Sequence, residues 1–332
     1  MNKSLLRRYL EFIRFSHTVF ALPFAALACV WAVVTPAASV PGGGLLASGH
    51  PDAGYPGDGH LSLTVGQIAI RCLGVLLCMI TARSAAMAFN RLVDASFDAD
   101  NPRTAGRHLP SGQLSYFQAW VFFVVMAGSF LAACGLFWPN WLPLAGALPV
   151  LLWICGYSLA KRFTTLVHLW LGVALALAPV CAWIAMRGEL VLASPWDLLP
   201  AVVLAVAIAC WVAGFDIIYA CQDAEFDAQR GLRSLPALLG IQGALRVAAG
   251  LHVLMLLVLG GLPWIAPQLS LGGLYAAAWC LVAGLVGRQH AVVQPQGADT
   301  IDVGRINHAF FQINAVISFV LAAAAASDAC LR

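Results

Sequence analysis

Long apolar runs separated by short polar clusters set the pattern of this chain. Nine runs reach the length of roughly 20 residues that a spanning helix needs. They cover about 15–35, 66–92, 115–137, 141–160, 167–186, 197–221, 241–263, 268–287 and 306–328. Ala, Leu and Val dominate them, and no ten-residue segment of alternating hydrophobicity recurs, which argues against a transmembrane β-barrel. The expectation is an all-α polytopic membrane helical bundle with nine transmembrane helices, built as a single domain over 1–332. Residues 36–64, rich in Gly, Pro, Ala and Ser and free of Lys and Arg, read as a flexible outside loop.

Composition agrees with the pattern. The 332 residues are 61% hydrophobic and 10% charged, with a mean hydropathy of +0.85. A soluble domain is about 45–50% apolar and about 25% charged, so a soluble fold is excluded. The net charge of +3 is small, yet its placement is informative. Lys3, Arg7, Arg8, Arg14, Arg103, Arg107, Lys161, Arg162, Arg230, Arg233, Arg288 and Arg305 fall at the N-terminus or in alternate loops. The other loops and the C-terminus hold Arg187 and Arg332. Positive charge gathers on the cytoplasmic side, which places the N-terminus in the cytoplasm of an inner membrane and, after nine spans, the C-terminus outside. The first apolar run is long enough to span and ends in no small-residue cleavage site, so no signal peptide is expected. The ten cysteines are scattered through apolar runs without a Cys-x-x-Cys, and read as small buried hydrophobes.

Against this apolar background one hexapeptide repeats. Asp94-Ala-Ser-Phe-Asp98-Ala returns 129 residues later as Asp223-Ala-Glu-Phe-Asp227-Ala, each copy closing an apolar run and each followed by a Leu-Pro. Both parent runs, the second and the sixth, go from outside to inside, so the charge count puts both motifs on the cytoplasmic face. Asn90, Asp94 and Asp98 are spaced i, i+4, i+8, as are Tyr219, Asp223 and Asp227. On a continuous helix each set makes one stripe of oxygen ligands. Carboxylates one turn apart repel each other, and a divalent cation between them relieves the repulsion. Mg²⁺ takes one or two protein carboxylates together with waters and phosphate oxygens.

Basic groups share that face. Arg103 and Arg107 follow the first motif, Arg230 and Arg233 the second, and Tyr157, Lys161 and Arg162 end the fourth run. Acids and bases together suit a metal ion plus a diphosphate, because Lys and Arg take up the phosphate charge that the metal leaves. A site for a free cation has no use for the basic half. A cation-coupled transporter is the alternative of a different class; its site belongs near the bilayer midplane, whereas most acids here gather at one surface.

The pattern Asn-x-x-x-Asp-x-x-x-Asp at Asn90, Asp94 and Asp98, the second pair Asp223 and Asp227, and Tyr157-x-x-x-Lys161 resemble the UbiA-type membrane prenyltransferases over nearly the whole chain. The segments 15–23 and 306–311 resemble the quinone-biosynthesis branch of 4-hydroxybenzoate polyprenyltransferases and their relatives. Two departures stand out: Asn90-Arg91 replaces an Asn-Asp found in many relatives, removing one possible ligand, and 36–64 is longer than the compact family pattern.

The resemblance implies transfer of a polyprenyl group from its diphosphate to the ring of an aromatic hydroxy acid. It implies Mg²⁺ held by Asn90, Asp94 and Asp98 and by Asp223 and Asp227. It implies a diphosphate held by Lys161, Arg103 and Arg162, with Tyr157 and Tyr219 beside it. Asp216, inside an apolar run, either orients the acceptor, accepts its proton or makes a structural hydrogen bond. Arg14 is either a topological charge or a partner for an acceptor carboxylate, and Arg83 either pairs within the bundle or faces substrate. Expected partners are polyprenyl diphosphate, a small aromatic acid and the bilayer, with no nucleic acid. The acceptor is 4-hydroxybenzoate or, on the futalosine route to menaquinone, a dihydroxynaphthoate.

Overall fold

The computed structural model describes residues 5–13, 20–36, 63–294, 304, 306 and 308–331. Arg14, His17, Arg305, Asn307 and residues 37–62 of the expected loop lie outside them. The described residues form helices and no strand: α1 (Leu5–Phe12), α2 (Leu22–Val34), α3 (Val65–Val93), α4 (Ala95–Asp100), α5 (Tyr116–Cys134), α6 (Leu142–Ala160), α7 (Val167–Ala193), α8 (Leu199–Ala220), α9 (Ala224–Gln229), α10 (Leu235–Ile265), α11 (Gly273–Val292) and α12 (Asn314–Leu331). Helices satisfy every backbone polar group within one segment, which an apolar solvent demands. Several starts are capped by sequence. Thr64 with Gln67 and Ser115 with Gln118 form capping boxes, and Ser234 accepts from the Ala237 N–H at the start of α10.

Among the described residues seven helical segments are long and apolar enough to cross a membrane, so the expected count of nine is met in part. The first run contributes α2, whose 13 residues rise only about 20 Å against a hydrocarbon core of about 30 Å. The eighth contributes α11, which is 20 residues long but carries Arg288, Gln289 and His290 near its end.

Buried α8 is the centre of the bundle. It packs most extensively against α7 and α10, while α2 joins α7 to α12 and α3 lies on α5. Gly172 of α7 meets α8 so closely that an added Cβ would lie 2.3 Å from the Ala209 carbonyl oxygen, so only glycine permits this approach. An aromatic column descends from Tyr219 through Phe310 (4.4 Å between centroids) and Phe215 to Trp211.

At the end of α7 far from the acidic motifs, one expectation fails. Arg187, counted above as an outside-loop charge, is fully buried at a kink in α7. Its Nε and Nη2 donate to Asp197 Oδ2 and Oδ1 (3.0 and 2.8 Å), and its Nη1 donates to the Thr35 and Ala32 carbonyls. The Trp183 indole N–H also donates to Asp197. Burial of the guanidinium is tolerated because donors and acceptors are matched on both sides.

Candidate active site

Neither acidic motif forms the continuous helical stripe that its spacing predicts. α3 stops at Val93, Asp94 adopts φ −94°, ψ 0°, and the six-residue α4 begins behind it. The second motif repeats this: α8 stops at Ala220, a 3₁₀ turn follows, Asp223 adopts φ −108°, ψ 6°, and the six-residue α9 begins. Each first aspartate thus sits at a seam between two helices, in the bridge region of backbone space. Each second aspartate is carried inward by the short helix: Asp98 and Asp227 are 6% and 2% exposed. Both buried carboxylates have ion-pair partners, as the burial of a charge requires. Arg107 Nη1 donates to Asp98 Oδ1 at 2.5 Å, and Lys161 Nζ donates to Asp227 Oδ2 at 3.1 Å.

The first aspartates have their own partners. Asn90 Nδ2 donates to Asp94 Oδ2 (2.8 Å), and Arg162 Nη2 stands 3.7 Å from Asp94 Oδ1. Arg103 Nε and Nη2 donate to the two oxygens of Asp223 (2.9 and 2.5 Å), and Asn101 Nδ2 donates to the same carboxylate (3.3 Å). Arg103 Nη1 also reaches the Tyr219 hydroxyl at 3.4 Å. The segment after the first motif therefore closes on the second motif, and Arg230 returns the tie by pairing with Asp100 at 2.8 Å. Lys161 is set in place by the turn after α6, whose carbonyls at Lys161 and Phe163 accept from Arg233.

These groups surround a cavity of about 180 Å³. Asn90, Asp94, Asp98, Arg103, Tyr157, Lys161, Arg162, Asp216, Tyr219, Asp223 and Asp227 all line it. The structure thus brings together every described site residue expected from sequence except Arg83. Arg83 lies deeper on α3, outside the cavity lining. Sequence reasoning gave no site role to Asn101, Thr104 and Ser158, which also line the cavity, as does Arg107. It also passed over His168, whose Nδ1 lies 2.7 Å from Asp216 Oδ2. Arg107 was visible as one of the basic groups near the first motif. His168 carried no signal in a charge count that treats histidine as neutral.

Electrostatics favour a bound cation. Burial pushes the Asp94 carboxyl up to about 6, and the Asp98 charge pushes the same way, against Arg162, Lys161 and Arg107. Burial alone would weaken the Lys161 ammonium, but the Asp227, Asp223 and Asp216 carboxylates outweigh it and hold its pKa above the ordinary lysine value. Asp98 Oδ2 is buried and accepts no hydrogen bond, with Arg91 Nη1 3.9 Å away. Among the described residues no three His, Cys, Asp or Glu side chains converge as a metal cage. Hard oxygen donors in ones and twos, with open space beside them, fit Mg²⁺, which fills its shell with water and phosphate oxygens.

Comparison with known proteins agrees with this architecture. The model of the UbiA prenyltransferase family matches residues 59–314. The chain is 34% identical over 250 residues to the 4-hydroxybenzoate octaprenyltransferase of Alcanivorax borkumensis, covering 72% of this chain and 76% of that one. Its fold matches the apo structure of a UbiA homolog from Aeropyrum pernix K1, with a TM-score of 0.70 and 26% identity over 93% of this chain and 96% of that chain. It also matches the fold of a UbiA homolog from Archaeoglobus fulgidus bound to GPP and Mg²⁺, with a TM-score of 0.61 and 19% identity over 96% of this chain and 99% of that chain. By the family match, by the relative and by the fold, the chain belongs to the UbiA prenyltransferase family and is a membrane-embedded prenyltransferase.

Proposed function

We propose that the protein transfers a polyprenyl group from polyprenyl diphosphate to the ring of an aromatic hydroxy acid of the 4-hydroxybenzoate type. We place the cavity at the cytoplasmic face of the inner membrane, with nine spans and the N-terminus inside. The observation that carries this reading is the interleaving of four carboxylates with Arg103, Arg107, Lys161 and Arg162 around one cavity at the end of an apolar bundle. The names of the curated relative and of the GPP- and Mg²⁺-bound neighbour support it.

Asn90, Asp94, Asp98, Asp223 and Asp227 are the oxygen donors that would hold Mg²⁺. When bound, the metal supplies charge neutralisation at the leaving diphosphate. Lys161, Arg103 and Arg162 take the remaining phosphate charge, and the guanidinium of Arg103 suits two oxygens at once. Tyr157 and Tyr219 offer phenol donors from the walls. Because these donors are already in position, stabilising the departing diphosphate costs little reorganisation. The prenyl chain lies among the apolar helices that open to lipid.

The test is incubation of the purified protein with polyprenyl diphosphate, Mg²⁺ and a panel of acids, followed by mass analysis. The panel contains 4-hydroxybenzoate and the dihydroxynaphthoate of the futalosine route. A prenylated 4-hydroxybenzoate is expected. Turnover unaffected by EDTA would defeat the metal assignment, and prenylation of the naphthoate alone would move the acceptor to the menaquinone route.

A further inference from the structure

Five carboxylates line the cavity, and one differs from the rest in its partner. Asp94, Asp98, Asp223 and Asp227 each face an Arg or Lys nitrogen within 3.7 Å. Asp216 instead meets the imidazole of His168 at 2.7 Å. Asp216 also lies inside α8, whereas Asp223 stands beyond the end of that helix at the seam, so Asp216 is the deeper of the two. The diphosphate end of the cavity therefore pairs its carboxylates with Arg and Lys, and the deep end is a histidine–carboxylate pair.

The local geometry fixes the state of that pair. His168 is 1% exposed and stands in the first turn of α7. Its Nε2 accepts from the Leu235 backbone N–H at 3.4 Å. Leu235 opens α10, where backbone N–H groups have no partner within their own helix. An N–H can only donate, so Nε2 carries the lone pair, Nδ1 carries the hydrogen, and Nδ1–H donates to Asp216 Oδ2. Among the described residues Asp216 Oδ1 takes part in no hydrogen bond, and Asp216 lines the cavity. The ring is thus held from behind by α10, and it holds the carboxylate of a residue that lines the cavity.

We propose that His168 and Asp216 form the acceptor side of the site, in which His168 positions Asp216 and Asp216 takes up the proton lost by the aromatic ring. This rests on the reading given under Proposed function. In the transfer, the C–O bond between the allylic carbon and the diphosphate breaks, and its electron pair leaves on the diphosphate. A π pair of the ring forms the new C–C bond. The hydrogen on the attacked ring carbon then leaves as a proton to Asp216, restoring the aromatic ring, and Asp216 passes it to water at the cavity mouth. His168 stays neutral throughout and acts only through Asp216.

The experiment uses the full-length protein with geranyl diphosphate, Mg²⁺ and 4-hydroxybenzoate, and measures kcat, the KM of each substrate and the Tm of every variant. His168→Leu should lower kcat about 10- to 100-fold, the worth of one hydrogen bond to a charged group. His168→Asn, whose amide can donate from the place of Nδ1, should restore most of that loss. Asp216→Asn should lower kcat about 10²- to 10⁴-fold, the usual contribution of a general base. The KM of geranyl diphosphate should stay within about two-fold in all three, since no donor-side ion pair is touched. Full kcat in His168→Leu would overturn the proposal. So would a loss that His168→Asn does not restore, or a rise in the KM of geranyl diphosphate in step with the fall in kcat. If the wild-type chain prenylates no aromatic acid at all, the acceptor reading under Proposed function falls, and the histidine–carboxylate role falls with it. An active wild type with an unaffected His168→Leu overturns the proposal and leaves the acceptor reading standing.

Discussion

Arg103 holds both carboxylate oxygens of Asp223 across 120 residues of sequence, at 2.9 and 2.5 Å. The arginine follows the first acidic motif and the aspartate belongs to the second, so this one fork joins the two halves of the site. Arg103→Ala should therefore weaken the donor side as a whole. We expect a fall of about 10- to 100-fold in kcat/KM for prenyl diphosphate, from the ~1.5–3 kcal/mol of a hydrogen bond to a charged group. Arg103→Lys should recover only part, because an ammonium cannot match two oxygens in one plane. Steady-state kinetics on the three proteins decides it.

The two aspartates of the first motif should fail in different ways. Asp94 retains 29% side-chain exposure, so Asp94→Ala should abolish transfer and leave Tm nearly unchanged. Asp98 is buried and faces Arg107 and Arg91. Asp98→Ala leaves buried guanidinium charge without its partner, a change that costs about 3–5 kcal/mol, so it should lose both activity and stability. Thermal unfolding in detergent separates the two, and an equal Tm in both variants would contradict the assigned burial.

Much of this was legible before any coordinates. The apolar run 66–92 became α3 over Val65–Val93, and 141–160 became Leu142–Ala160, because long runs of Ala, Leu and Val have one way to satisfy their backbone in lipid. The repeat of Asp94/Asp98 at Asp223/Asp227 located the cavity. The breaks at Asp94 and Asp223 were hidden, since i, i+4, i+8 spacing fits an unbroken helix and neither break has a Gly or Pro beside it. They are accompanied by the ion pairs Asp98–Arg107 and Asp227–Lys161, which periodicity does not register. Arg187 misled for a similar reason: its partner Asp197 lies ten residues on, across a kink and a 3₁₀ turn.

That buried pair gives a stability prediction remote from the chemistry. Arg187→Ala strands the Asp197 carboxylate and should cost about 3–5 kcal/mol, whereas Arg187→Met with Asp197→Leu should regain most of it. Both proteins should keep wild-type KM values at temperatures where they remain folded, because the pair sits at the opposite end of α7 from the cavity. A double variant as unstable as the single one would show that the Thr35 and Ala32 contacts of Arg187 matter more than its charge partner.

Sidedness can be read with cysteine chemistry. In a chain otherwise free of cysteine, Asp100→Cys should react with a membrane-impermeant maleimide only from the cytoplasmic side. The native Cys330 is exposed at the end of α12 and, after nine spans, should react only from the other side. Labelling of both from one side would remove one crossing from the bundle and revise the topology.

Arg103–Asp223, Arg107–Asp98, Lys161–Asp227 and Arg162–Asp94 make the site a small ion exchanger. Its fixed charges already neutralise one another, so a diphosphate and its metal enter by trading places with internal partners instead of by filling a one-signed field. Added salt loosens the pairs that are lost as well as those that are gained, and donor affinity should depend on ionic strength far less than it would in a purely basic pocket. Entry then favours ligands that bring anion and cation together. A bare anion would have to displace four aspartates, and a bare cation would have to displace the arginines and the lysine.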